Sequence, residues 1–139
     1  MAKQIFVNLP VSDVAKSTAF YEALGFTKNP NFSDEHASSM MWSADIIFMI
    51  LSKEFYAKFI GDKKVADAHS TSGVVIALPL DSKEEVQKFV DTAQANGGSY
   101  YRVDMGVPED MMFGYEVEDL DGNHLEPLWM SPNFNPQSS

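Results

Sequence analysis

The chain has 139 residues, 45% of them hydrophobic, with three histidines, no cysteine and a formal charge of −10. That length sets one compact domain with a sizeable core, while the missing cysteine excludes disulfides, thiolate metal sites and cysteine nucleophiles, leaving His, Asp and Glu as the available metal ligands. The acidic balance, with no Lys/Arg stripe to reverse it, argues against nucleic-acid and anionic-lipid partners, and no apolar run approaches the roughly 18 residues of a membrane helix.

The N-terminus lacks the basic, apolar and small-residue order of a secretion signal. The expectation is therefore a cytoplasmic protein that handles a small molecule or a protein partner.

In chain order, Ile5, Val7 and Leu9 alternate with Phe6, Asn8 and Pro10, which predicts a first strand with one aliphatic face and Asn8 as the odd residue on the other. A helix over Ser12–Leu24 follows, capped by Ser12 or Asp13, with Val14, Thr18, Tyr21 and Leu24 on one stripe and Gly25 as its stop. Thr27–Asp34, Ala37–Trp42 and Ile46–Leu51 read as three short strands, the first made irregular by Asn29-Pro30-Asn31. Residues 53–72, with Phe55, Tyr56, Phe59 and Ile60 among charges, read as a connector that packs briefly on the core.

The order then repeats. Phe6–Asp13 and Val75–Ser82 open equivalent strand–helix units at a constant offset of about 69 residues, and repetition of this kind predicts paired half-sites. The second helix carries a Ser82/Glu85 capping box, a Val86, Phe89, Val90 and Ala93 stripe, and a Gly97-Gly98 stop. Ser99–Val103, Met112–Glu118 and Asn123–Trp129 supply the later strands. Gly122-Asn123 signals a tight hairpin, and Pro127 implies an edge strand or a bulge. The division is module one at 3–52, a connector at 53–72, module two at 73–130 and a loose tail at 131–139.

Leu9-Pro10-Val11-Ser12-Asp13 with Ser17, Phe20-Tyr21 and Leu24-Gly25-Phe26, the second module from Val74, and the closing Asp119-Leu-Asp-Gly-Asn-His-Leu-Glu126 together resemble the vicinal-oxygen-chelate superfamily, the glyoxalase/bleomycin-resistance/dioxygenase group. The resemblance covers nearly the whole chain. It implies an α+β fold of two tandem βαβββ modules whose curved mixed sheets form a cup, assembled as a homodimer. It also implies four inward ligand positions for a divalent metal, which fall on Phe6, Met49, Val75 and Glu126. Three of the four cannot ligate, so no cofactor is expected, and a metal would need Glu126 with His124 and Asn8 as auxiliary ligands.

Glu126 is the expected polar anchor, either a cavity carboxylate that moves a proton or the partner of a cationic ligand. Phe6, Trp42, Met49 and Val75 would line the cup, with Asn8 orienting a ligand and Tyr101 and Arg102 stacking on or clamping it. Glu116 alternates with Tyr115 and Val117, so it faces either the cavity or solvent. The expected activity is binding of a cationic or aromatic small molecule by a protein of glyoxalase/bleomycin-resistance type with a largely lost metal site. The alternatives are a metal-dependent lyase or isomerase related to lactoylglutathione lyase, and a structural dimer with a filled cup.

Overall fold

The computed structural model describes residues 3–134. Seven residues of alternating character form β1 (Ile5–Val11), in which Leu9 and Val11 are buried while Phe6 and Asn8 stay exposed, as the alternation requires. Helix α1 (Val14–Ala23) starts where the Asp13 carboxylate accepts from the Lys16 N–H at 3.0 Å, and it buries Ser17, Thr18, Phe20 and Tyr21. After β2 (Thr27–Lys28) the chain leaves the sheet, because Pro30 opens a 3-10 turn over Pro30–Phe32. The strand expected over 27–34 is thereby cut to two residues. Strands β3 (Ala37–Met41) and β4 (Ile46–Ser52) complete a sheet in the order β1-β4-β3-β2, with β1 and β4 parallel.

The connector opens with α2 (Lys53–Ala57), capped by Ser52, whose hydroxyl accepts from the Phe55 N–H. Then β5 (Val75–Pro79), α3 (Lys83–Ala95), β6 (Ser99–Tyr101), β7 (Met112–Gly114), β8 (Glu116–Glu118) and β9 (His124–Met130) repeat the plan. In α3 the Ser82 hydroxyl accepts from the Glu85 N–H at 3.1 Å, but the Glu85 carboxylate reaches back to the Asp81 N–H, one residue before the reciprocal partner of a capping box. Val86, Phe89, Val90 and Ala93 are all buried, as their spacing predicts.

The second sheet has the order β5-β9-β8-β6, with β7 also on β9. Strand β9 is central, and its pairing to β7 and β8 keeps one register through Met112–Met130, Gly114–Leu128, Val117–Leu125 and Glu118–His124. Pro127 therefore causes neither an edge nor a bulge, contrary to expectation. Its only effect is local: Tyr115 donates to the Pro127 carbonyl at 3.2 Å, and proline has no N–H to return the bond, so the ladder is interrupted between β7 and β8.

The two halves share one core. Leu9, Val11, Phe20, Tyr21, Met40, Phe48 and Ile50 from the first pack with Leu78, Phe89, Val90, Ala93, Val117 and Leu125 from the second. At the junction, a Cβ on Gly98 would stand 2.7 Å from the Glu118 carbonyl and 2.8 Å from the Phe20 ring, so only glycine admits this approach. Beyond Met130, Ser131 donates to the Met111 carbonyl and Phe134 to the Ser131 carbonyl, so the start of the expected loose tail is tied to the fold. Residues 135–139 lie outside the described residues. No helix among the described residues is long and apolar enough to cross a membrane.

Candidate functional site

The acidic turn at 119–123 builds the site by locking its framework. Asp119 is buried and its carboxylate accepts from the Tyr21 hydroxyl (2.6 Å), the backbone N–H groups of Asp121 (2.9 Å) and Asn123 (2.8 Å), and the Asn123 amide (3.0 Å). Asp121 accepts from the N–H and hydroxyl of Ser12 at 2.9 and 2.7 Å. The turn is thus a five-residue clasp that joins β8–β9 to the β1–α1 corner, rather than the tight two-residue hairpin that Gly122-Asn123 suggests. Burial raises the Asp119 pKa while the donated hydrogen bonds from Tyr21 and Asn123 hold it back; burial, then Asp119 itself, pushes the Tyr21 phenol well up.

From that clasp β9 runs out with His124, Glu126 and Leu128 on the face away from the core, since Leu125 is fully buried and Pro127 nearly so. The register sets Glu116 directly opposite Glu126. Both carboxylates line a cavity of about 470 Å³. Its other wall is the loop between β6 and β7, which contributes Arg102, Val103, Met105, Val107 and Glu109. Arg102 pairs with Glu109 across that loop and lies 4.8 Å from the Phe113 ring centroid, so its charge is already engaged.

Burial raises the Glu126 pKa most, the hydrogen bond and charge of Glu116 raise it further, and His124 offsets part of this, leaving Glu126 pushed up to about 7. His124 Nε2 lies 3.0 Å from Glu116 Oε1. The floor of the cavity is therefore a carboxyl pair flanked by an imidazole.

The other residues singled out from the sequence do not converge there. Phe6 and Val75 are about half exposed on the two edge strands, and Met49 pairs with Asn8 on the half-buried outer side of the first sheet. Trp42 lines neither this cavity nor the one beneath the connector: its ring packs 4.9 Å from Phe26 and 6.2 Å from Phe89, because alternation from Met40 turns it to the helix side. Asn8, Tyr101 and His124 line a second cavity of about 320 Å³ beneath the connector. Instead of packed side chains, the outer face of the second sheet holds open space.

The donor set does not suit a resident divalent ion. Glu116, Glu126 and His124 adjoin one another through hydrogen bonds, but among the described residues no three His, Asp or Glu side chains are arranged so as to hold a metal ion. Of the four positions the resemblance assigns, only Glu126 carries a carboxylate; Asn8 lies in the other cavity and His124 is engaged by Glu116.

The loop 102–109 was not anticipated as a wall, although its alternate apolar residues Val103, Met105 and Val107 within a Gly/Pro/Asp-containing stretch are a readable signal. For Glu116 the alternation alone leaves cavity and solvent equally open, and the register decides for the cavity. Counting outward from the turn would have set Glu116 against Glu126.

Residues 3–41 match the family described as bleomycin resistance protein-like N-terminal. Among solved structures, the chain is similar to hypothetical protein SA1046 from S. aureus, at 25% identity, with 93% of this chain and 95% of that one covered and a TM-score of 0.74. It is also similar to a glyoxalase-related enzyme from Fulvimarina pelagi (17% identity, 100% and 96% covered, TM-score 0.74). A third is the genomically encoded fosfomycin resistance protein FosX from Listeria monocytogenes, solved with Mn(II) and sulfate (16% identity, 95% and 93% covered, TM-score 0.68). No curated protein matches the sequence.

Proposed function

Starting from the glyoxalase/bleomycin-resistance fold of the vicinal-oxygen-chelate superfamily, we propose that this chain is a cytoplasmic small-molecule binding protein that holds a cationic, partly aromatic or aliphatic compound between Glu126 and the loop 102–109. The observation that carries this is the facing Glu116/Glu126 pair on the floor of a cavity walled by Val103, Met105, Val107 and Leu128. Four carboxyl groups and one already paired guanidinium line it, so an entering cation meets unbalanced negative charge in a partly apolar site. A cation beside the pair lets both carboxylates ionise and displaces the proton held on Glu126.

Calorimetry with benzyltrimethylammonium and its uncharged carbon isostere tests this. The cation should bind more than about tenfold tighter, and Glu126→Gln should remove most of that preference. Equal affinity for the two probes would defeat the reading.

A second reading is favoured by one observation: a carboxyl titrating near neutrality is placed to act as a general base or acid. In that case the chain is a metal-free general-base enzyme that uses Glu126, in place of the metal-dependent lyase or isomerase related to lactoylglutathione lyase, and turnover of a substrate that vanishes in Glu126→Gln would establish it.

We further propose that two copies associate as a homodimer. Ile5, Phe6, Val74 and Val75 are 46–57% exposed along β1 and β5, each of which pairs with one strand only. Sedimentation should give twice the chain mass, and Phe6→Lys should return it to one.

A further inference from the structure

The second cavity is chemically unlike the first. It lies between β1, the connector and the start of β9, and its volume of about 320 Å³ sits at the small end of ligand pockets. Two tyrosine rings, Tyr56 and Tyr101, stand in its lining, with the Asn8 amide, the Glu118 carboxylate and the His124 imidazole. Among the described residues, the Asn8 amide, the Tyr56 and Tyr101 hydroxyls and the Glu118 carboxylate make no hydrogen bond within the chain. Among the described residues, one of His124's nitrogens is engaged, by Glu116, and Tyr101 meets its ring edge-on at 6.2 Å.

These groups select a ligand class. Amide, carboxylate and imidazole are planar donors and acceptors that bridge neighbouring hydroxyls, and aromatic rings cover the apolar C–H face of a saturated ring. An anion is disfavoured by Glu118 and by the overall charge of −10. A purely apolar ligand would strand the unspent polar groups without partners.

We infer that the cavity beneath the connector is a second binding site, separate from the Glu116/Glu126 cavity, for a small polyhydroxylated ring compound held by Asn8, Glu118 and His124 against Tyr56 and Tyr101.

The test uses the full chain labelled for NMR and titrated with myo-inositol and methyl α-glucopyranoside, with cyclohexanol as the single-hydroxyl control. Saturable shifts at Asn8, Tyr101 and His124 with at least one polyol at millimolar concentration, and about tenfold weaker or absent shifts with cyclohexanol, are expected. Asn8→Ala should weaken the polyol by about tenfold, and Tyr101→Phe, which keeps the ring in place, should weaken it less. No saturable shift with either polyol up to roughly ten millimolar overturns the inference, as does cyclohexanol binding as tightly. Shifts centred on Met105 and Glu126 would also overturn it, by assigning the compound to the first cavity. Failure of the cation test leaves these outcomes unaffected, since Asn8 and Tyr101 line only the second cavity and Met105 and Glu126 only the first, whereas His124 touches both through Glu116.

Discussion

Replacing Glu126 by Gln should make the protein more stable at neutral and alkaline pH and leave it unchanged below about pH 4.5. Glu126 is pushed up from 4.5 to about 7, so between those values the folded chain binds a proton that the unfolded chain has released. For a group raised in the folded state, the contribution to stability is complete below the unfolded value and is lost as pH climbs through the folded one. Undamped, the displacement corresponds to about 3.5 kcal/mol at about 1.4 kcal/mol for each pH unit. Glu126 is only partly buried, and screening by water brings the effect to about 1.5 kcal/mol. Glutamine keeps the shape and the hydrogen-bonding capacity without the charge. Urea unfolding of both proteins from pH 4 to 9 should therefore show a gap that opens between about 4.5 and 7 in favour of Glu126→Gln and levels off above that near 1.5 kcal/mol, as roughly half the undamped figure. A variant that is less stable by the same amount at every pH would refute the argument, because the carboxylate would then be contributing contacts and not desolvation.

Asp119→Ala should cost about 3–5 kcal/mol in denaturant unfolding, because it leaves the Tyr21 hydroxyl, two backbone N–H groups and the Asn123 amide without their acceptor. A loss under about 1 kcal/mol would show that the clasp contributes little. Gly122→Ala should cost more than about 2 kcal/mol and loosen amide-exchange protection at 68–70. Gly122 has φ +87°, and a Cβ there would stand 2.6 Å from the His69 nitrogen. Unchanged stability would remove the connector from the folded framework.

Much of the fold was legible because its signals are local. Asp13 and Ser82 cap their helices through their own side chains, the stripe Val86, Phe89, Val90 and Ala93 is buried as spaced, and the constant offset between Pro10 and Pro79 marks equivalent edge strands. What escaped depends on partners distant in sequence. Pro127 reads as an edge residue, yet it occupies a central strand because only one ladder bond needs its nitrogen. Trp42 reads as a cavity aromatic until the sheet's facing is known. Asn8 and Glu126, both polar residues on exposed strand faces, reached separate cavities, and no pattern within either strand encodes that division. The acidic turn reads as the launch point of Glu126. Its own carboxylates proved to be structural, held by Tyr21 and Ser12 from 98 and 109 residues away.

The shared core has a consequence for how the repeat can behave as a polymer. Phe20 lies against Gly98, Trp42 against Phe89, and Tyr21 against Asp119, so each half completes the other's interior. A chain cut within the connector would leave two fragments, each with an unroofed apolar side and with Asp119 or Tyr21 robbed of its mate. The duplication therefore no longer consists of two separable units. The protein should melt in one all-or-none transition, and a destabilising change in either repeat should lower the stability of both together.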